Sequence, residues 1–216
     1  MSLILSNKGN ALISLYDTMV VDGYERKDAT FVKDAFGDFE LRVYAADIAS
    51  IFSNEYINST LDYGCGGSNW NEPGFEPETK KSAKEYFNLE TVYHYEPSRG
   101  IDERTQADCV VSFDVLEHIH ILDVANVLRD IFSYAKKICL FNIACYPAAA
   151  KLPNGENAHI TVRPKLWWKG VIDMIAVEYP HIRVYLITSI AWQKSELVPT
   201  FSAQEWIEQE NFVVDL

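Results

Sequence analysis

The sequence predicts an α/β protein with a doubly wound, Rossmann-like sheet of about six strands flanked by helices. Short apolar runs rich in β-branched and aromatic residues alternate with helix-like segments from residue 58 onward. This alternation is typical of a mostly parallel sheet covered on both faces. The 216 residues, 48% of them hydrophobic, can bury the core of one domain, with little left for a second. We therefore expect a single domain, with a helical cover over residues 1–57 and the α/β core over residues 58–216.

The N-terminal cover ends in the stretch ELRVYAADIASIFSNEYI, residues 40–57. Leu41, Tyr44, Ile48 and Phe52 recur there at helical spacing, which places them on one face of a helix. We expect that apolar face to pack on the sheet.

The core elements follow in order along the chain. Six runs are predicted to be strands: STLDY (59–63), TVYHYE (91–96), ADCVVSF (107–113), KICLFNIA (137–144), IRVYLITSIA (182–191) and FVVDL (212–216). Four segments between and after them are predicted to be helical: PETKKSAKEYF (77–87), ILDVANVLRDIFSYA (121–135), RPKLWWKGVIDMIAV (163–177) and SAQEWIEQE (202–210). Only the ten residues PSRGIDERTQ separate the second run from the third, so the usual third strand of such a fold is reduced or absent.

The net charge of the chain limits the kinds of partner that it is expected to bind. The net charge is −12, from 31 acidic and 19 basic residues. Such a surface repels phosphate backbones and anionic lipids, so we expect no nucleic-acid partner and no membrane partner.

The four cysteines are scattered and form no C-x-x-C pair. Their spacing indicates neither a zinc site nor a disulfide framework, and we predict no metal site. There is no N-terminal signal and no apolar run long enough to span a bilayer. We expect a reduced, cytoplasmic setting.

A glycine-rich stretch, LDYGCGGSNW, follows the first core strand at residues 61–70. A dinucleotide fingerprint, G-x-G-x-x-G, would need a third glycine where Asn69 stands. The loop that follows is acidic, so a pyrophosphate would meet carboxylates at the next helix. A ligand with a cationic amine, a sulfonium and no phosphate fits better, because Asp62 can face its positive end while Gly64 and Gly66 allow close approach. S-adenosylmethionine is such a ligand.

Here the sequence resembles the class I S-adenosylmethionine-dependent methyltransferases, whose first motif is an acidic residue, x, Gly, x, Gly, x, Gly. Asp62, Gly64 and Gly66 match that motif, and Ser68 replaces its last glycine. In this family, an acidic residue at the end of the next strand, here Glu96, accepts the ribose hydroxyls.

The stretch D-V-L-E-H, residues 114–118, resembles a signature common among small-molecule methyltransferases. Family residues here line the cofactor and the mouth of the substrate pocket. The resemblance covers roughly residues 58–145 and implies these cofactor contacts: Asp62, Tyr63, Gly64, Cys65, Gly66, Ser68, Glu96, Pro97, Asp114 and Val115.

A long polar loop, residues 145–168, follows the fourth predicted strand and is expected to carry the acceptor site. LPNGENAH followed by RPKLWW resembles a segment of a little-characterised bacterial and phage branch of these enzymes. We predict His159 as the general base, with Glu117 as the fallback. Asn157, Arg163 and His118 are predicted to contact the acceptor.

The function that these features predict is methyl transfer to a small or glycan-like acceptor, at oxygen more readily than at nitrogen. The alternatives are an N-methyltransferase, a nucleic-acid methyltransferase, a nicotinamide-dependent oxidoreductase and a non-catalytic cofactor-binding module on the same fold. The oligomeric state is left open.

Overall fold

The structure is a computed structural model that describes residues 3–33, 36, 39–191 and 194–198. Its main sheet has seven strands in the order β5-β4-β3-β6-β7-β8-β9. The five central strands run parallel, and both edge strands are antiparallel to their neighbours. The strands are β3 (Ser59–Tyr63), β4 (Thr91–Glu96), β5 (Ile101–Asp102), β6 (Ala107–Phe113), β7 (Ala135–Ala144), β8 (Arg183–Ala191) and β9 (Lys194–Val198). The Rossmann-like α/β prediction is confirmed.

The first five predicted runs are strands; three have the predicted ends, and two differ only at the start, by two residues in β7 and by one in β8. The third strand of the fold is reduced to the two residues of β5. Strand β9 was not predicted, because KSELV lacks an apolar run and its residues are mostly exposed at the edge. The sixth predicted run, FVVDL, and the predicted helix SAQEWIEQE lie outside the described residues.

Six α-helices flank the sheet within the described residues. They are α1 (Asn7–Asp22), α2 (Phe39–Val43), α3 (Ala45–Asn54), α4 (Ala83–Tyr86), α5 (Val124–Tyr134) and α6 (Lys165–Ala176). Helix α4 is much shorter than the predicted segment 77–87. It begins at Ala83 after the N-cap Ser82, which forms a capping box with Glu85, so the capping residue fixes a start six residues after the first residue of the predicted segment.

The N-terminal region is not purely helical. Helix α1 ends at Gly23, where φ is +82°, and a hairpin of β1 (Tyr24–Glu25) and β2 (Phe31–Val32) follows. Leu12 and Met19 of α1 pack against Ala148, Leu152 and Ala158 in the loop after β7. Helix α1 is therefore fastened to the loop that was predicted to carry the acceptor site.

The core lies on both faces of the sheet. One face is covered by α5 and α6, whose buried side chains include Leu128, Ile131 and Trp168. The other is covered by α2, α3 and α4, and there Ile48 and Phe52 are buried as their helical spacing predicted. In the described part of the chain, every helix is too short or too polar to cross a membrane.

Candidate functional site

The carboxyl ends of the parallel strands gather the predicted site residues at one edge of the sheet. Because β3, β4, β6 and β7 are neighbours and run in the same direction, the loops after them emerge side by side. In open α/β sheets, ligands bind at this edge.

The glycine loop after β3 has a backbone that side chains would obstruct. Gly64 and Gly66 have φ of +85° and +55°, in the left-handed region that glycine adopts at little cost. A Cβ on Gly64 would lie 2.4 Å from Cγ2 of Val115, and one on Gly66 would lie 2.8 Å from Cβ of Phe36. The loop therefore packs directly against the D-V-L-E-H segment after β6.

Glu96, at the end of β4, is tied to the glycine loop. Its Oε2 accepts a hydrogen bond from the Gly66 N–H at 3.0 Å, and its Oε1 accepts from the N–H and hydroxyl of Ser98. A carboxylate has about four acceptor positions, and three are used here. Accepting both hydroxyls of a ribose would thus require one of the present donors to turn away.

Asp62 and Tyr63 lie deeper than predicted. Asp62 is buried, and its Oδ2 accepts a hydrogen bond from the indole N–H of Trp70 at 2.7 Å. The hydroxyl of Tyr63 donates to Asp130 at 2.8 Å, so its side chain faces helix α5. The cofactor contacts predicted for Asp62 and Tyr63 stay predictions.

Three further predicted cofactor residues differ in exposure. Cys65 is buried, and burial raises the pKa of its thiol. Ser68 closes a turn by donating its N–H to the Cys65 carbonyl. Pro97 is exposed and begins a 3₁₀ turn after Glu96.

Asp114, His118 and His159 converge beside the glycine loop and are named here the histidine cluster. Their ligand-type atoms all lie within 4.8 Å of one another. Oδ1 of Asp114 lies 3.7 Å from Nε2 of His159, and its Oδ2 lies 3.9 Å from Nε2 of His118. Asp114 has a φ of +55°, a costly conformation for a residue with a Cβ that the surrounding structure must enforce.

The loop that carries His159 is fastened to the turn that carries His118. Thr161 donates its N–H to the Glu117 carbonyl and its hydroxyl to the Ile119 carbonyl, at 2.9 and 2.7 Å. Asn157 accepts hydrogen bonds from the N–H groups of Ala148 and His159, and its predicted contact with the acceptor stays a prediction. In this geometry Asn157 shapes the loop and orients His159.

Carbonyl oxygens lie beside Nδ1 of both imidazoles. Nδ1 of His159 lies 2.5 Å from the Tyr146 carbonyl oxygen, and Nδ1 of His118 lies 3.0 Å from that of Ala158. Because a carbonyl only accepts, Nδ1 of His159 carries a hydrogen, and Nε2 of the neutral His159 ring presents a lone pair. The Tyr16 hydroxyl donates to the Ala158 carbonyl and lies 2.6 Å from His118 Nδ1.

The environment keeps His159 neutral near pH 7. Burial, together with the charge of His118, lowers the pKa of His159 to about 4, although the Asp114 carboxylate opposes this shift. Desolvation acts to raise the pKa of Asp114, but hydrogen bonding and charge from His118 and the charge of His159 lower it to about 2. The cluster therefore combines an ionised carboxylate with neutral imidazole.

Glu117 is fully buried behind this surface. Its Oε1 accepts from the Ala144 N–H, whereas its Oε2 has no hydrogen-bond partner among the described residues. Burial, followed by the charge of Asp114, raises the pKa of Glu117 well above its usual value. With no exposed surface, Glu117 has no direct access to an acceptor, and its fallback role as base stays a prediction.

Arg163 lies apart from the histidine cluster. Its guanidinium is 5.8 Å from the centre of the Trp167 ring, and it lines a cavity of about 480 Å³. Other residues of that cavity are Cys145, Val162, Pro164, Lys165, Ile190 and Glu196. The cavity lies at the carboxyl ends of β7 and β8, so the predicted acceptor residues divide between two places at one sheet edge.

Two residues of the site were not predicted. Tyr16 comes from α1, more than a hundred residues before His118 in the chain, and no local pattern indicates its contact. Trp70 ends the glycine-rich stretch itself, and a tryptophan eight residues after a buried aspartate could have indicated their hydrogen bond.

Comparison with known families agrees with this geometry. A family model described as a methyltransferase domain matches residues 33–196, more than half of the chain. No curated protein and no solved structure gives a significant match. The matched range contains the glycine loop, Glu96 and the whole histidine cluster.

Proposed function

Because the chain belongs to the methyltransferase-domain family, we propose that this S-adenosylmethionine-dependent methyltransferase methylates a hydroxyl group of a small or glycan-like acceptor. The observation that carries the proposal is the histidine cluster beside the glycine loop. The loop predicted to bind the cofactor contacts Val115, the residue directly after Asp114. A proton acceptor thus lies next to the loop where the methyl donor is expected.

The residues at the glycine loop fit the cofactor. A Cβ at Gly64 or Gly66 would collide with Val115 or Phe36, so the loop keeps a bare backbone of the kind that a closely packed ligand requires. Glu96 offers a carboxylate beside the glycine loop, and accepting both hydroxyls of a ribose would require one of its present donors to turn away. S-adenosylmethionine supplies an electrophilic methyl group when it is bound.

His159 is the proposed base. Its Nδ1 hydrogen is held by the Tyr146 carbonyl, so the free lone pair on Nε2 can take the proton of an acceptor hydroxyl as the oxygen forms its bond to the methyl carbon. Bound S-adenosylmethionine would supply the methyl group, and its sulfur would keep the electron pair of the carbon–sulfur bond as the leaving group. Asp114 faces the imidazole and stabilises the imidazolium that forms.

An oxygen acceptor is favoured over an amine because a hydroxyl needs its proton removed, whereas a neutral amine does not. A neutral imidazole beside an ionised carboxylate serves that need. The net charge of −12 disfavours a nucleic-acid acceptor.

The proposal is tested by measuring S-adenosylhomocysteine release with panels of phenols, sugars, amines and oligonucleotides of comparable size. We expect turnover with a hydroxyl panel, and a raised melting temperature with S-adenosylhomocysteine but not with NAD. Because His159 has a lowered pKa, the acidic limb of the rate should lie near pH 4 and not near 6.5. Turnover confined to amines or to oligonucleotides would contradict the proposed acceptor class.

A further inference from the structure

The histidine cluster has an arrangement that hydrogen bonding within it does not explain. The two Nε2 atoms face the two oxygens of one carboxylate at 3.7 and 3.9 Å. Both distances exceed the 2.7–3.2 Å of an ordinary hydrogen bond. Nε2 of neutral His159 also carries a lone pair, since its Nδ1 is bound to the Tyr146 carbonyl oxygen. Together with Nε2 of His118 and the Asp114 carboxylate, it forms a set of three metal-binding atoms that lie within 4.8 Å of one another.

A cation bound between these three side chains would account for their arrangement. Histidines that bind metals almost always donate their other ring N–H to a carbonyl or carboxylate, which fixes the ring and its tautomer. His118 and His159 meet that condition through Ala158 and Tyr146. Thr161 and Asn157 hold the supporting backbone in place.

A second observation is the buried carboxyl group of Glu117. Its side chain is fully buried, and Oε2 has no hydrogen-bond partner within the described ranges. It lies next in sequence to His118 and three residues after Asp114. A carboxyl oxygen buried without a partner is costly, and a cation or an ordered water beside Asp114 would give it one. The clustered acids also raise the affinity for a cation.

From this geometry we propose that Asp114, His118 and His159 bind one divalent transition-metal cation through one carboxylate oxygen and the two Nε2 atoms. Ligands at about 2.0–2.2 Å from one ion lie roughly 3–3.5 Å apart, so side-chain shifts below about 1 Å would close the site. Two imidazoles and one carboxylate suit Zn²⁺, Fe²⁺, Co²⁺ or Ni²⁺ better than Mg²⁺ or Ca²⁺. Because Asp114 is nearly half exposed, at 44%, the open side of the ion faces solvent.

The proposed metal site specifies how methyl transfer to a hydroxyl could be assisted, and its role in that reaction rests on the proposed function. Three protein ligands leave coordination positions open, as in catalytic metal sites. A hydroxyl oxygen of the acceptor bound there would be oriented beside the glycine loop, and the cation would favour loss of its proton to solvent or to a nearby base. His159 then acts as a ligand and no longer as the base itself.

Binding is tested with the full chain after its metals have been removed by a chelator. Co²⁺ and Zn²⁺ are titrated separately in the presence of excess Mg²⁺, which occupies weak carboxylate sites on the surface. Calorimetry and, for Co²⁺, visible absorption should report one ion per chain. His118→Ala, His159→Ala and Asp114→Asn should each weaken that binding at least tenfold.

The matched control is His94→Ala, since His94 pairs with Glu103 at 3.1 Å away from the cluster, and its affinity should equal that of the wild type. Circular dichroism and thermal unfolding report whether each variant is folded. Folded ligand variants with unchanged Co²⁺ and Zn²⁺ affinity, or a wild-type chain without a one-to-one site, would overturn the proposal. Metal binding without methyl transfer to any hydroxyl would overturn the proposed function and leave the metal site standing. Hydroxyl methylation at full rate in chelator would overturn the role of the ion in transfer.

Discussion

The glycine loop and the histidine cluster lie side by side at the same sheet edge, yet they are built in different ways. The loop consists of consecutive residues whose backbone is predicted to contact the cofactor. At Gly64 the backbone has a φ of +85° and leaves no space for a Cβ. The cluster joins the end of β6, the turn at His118 and the long loop at His159. Helix α1 adds Tyr16.

This difference separates two kinds of sensitivity to mutation. Any side chain at Gly64 would collide with a neighbouring residue. A substitution there should therefore act sterically and should weaken cofactor binding. Substitutions in the histidine cluster remove side-chain groups that no backbone group replaces, so they should lower the rate of the chemical step. Variants of each region therefore test whether binding and chemistry are separable.

The largest effect is expected from His159→Ala. Turnover should fall by on the order of 10² or more, because His159 either takes the acceptor proton or holds the ion that favours its loss. Affinity for S-adenosylhomocysteine should stay intact, since His159 is not among the residues predicted to bind the cofactor. Steady-state kinetics and calorimetry measure the two quantities. A parallel loss of cofactor affinity would show that the two regions are not separable.

The second largest effect is the loss of stability expected from the steric clash in Gly64→Ala. We expect about 2–3 kcal/mol lost from the free energy of unfolding, because the left-handed φ and the contact with Val115 both oppose a Cβ. Gly155→Ala is the control, since Gly155 has nearly the same φ, +86°, with nothing within 4 Å of the added Cβ. That variant should cost only about 1–2 kcal/mol.

Val115→Ala in the Gly64→Ala background should recover part of the difference, because it removes the two methyl groups that a Cβ would meet. Urea titration measures the four proteins. Equal losses at Gly64 and Gly155 would show that strain alone explains the glycine.

A smaller effect is expected from Glu96→Gln. The affinity for S-adenosylhomocysteine should fall about tenfold, as a charged acceptor becomes a neutral one. Turnover at saturating cofactor should change little if Glu96 serves only binding. Glu103→Gln, at a half-exposed glutamate that pairs with His94, provides the control. Unchanged affinity in the Glu96 variant would remove this residue from the cofactor site.

The smallest effect concerns stability against pH in chelator-treated protein. The pKa of His159 is about 4 in the folded chain, below the 6.5 or so of an unfolded one. Below pH 6.5 the unfolded chain takes up a proton that the folded chain does not, so stability falls as the pH decreases toward 4. Between pH 7 and 6 the loss from this group should be about 0.7 kcal/mol.

His159→Gln should show a correspondingly shallower slope of unfolding free energy against pH in this window. His94→Gln should keep the wild-type slope, and no uncharged substitution elsewhere in the loop should imitate His159. An identical slope in His159→Gln would mean that the imidazole titrates alike in both states, contrary to its burial.

The amino-acid sequence by itself determined the α/β class, five of the strands and the contiguous glycine loop. Apolar runs and glycine spacing are local signals, and parallel strands bring successive loop residues to one edge without further information. For the same reason, Glu96 and Asp114 were found as strand-end carboxylates.

Only the tertiary structure decided how those side chains are used. Asp62 accepts a buried hydrogen bond from Trp70, and Asn157 accepts one that holds a loop in place. In both cases the partner is determined by packing and not by spacing along the sequence. His118 and His159 are forty-one residues apart and meet through Thr161, so no periodic pattern relates them. The convergence of these side chains depends on positions in space, which a linear pattern of residue types does not contain.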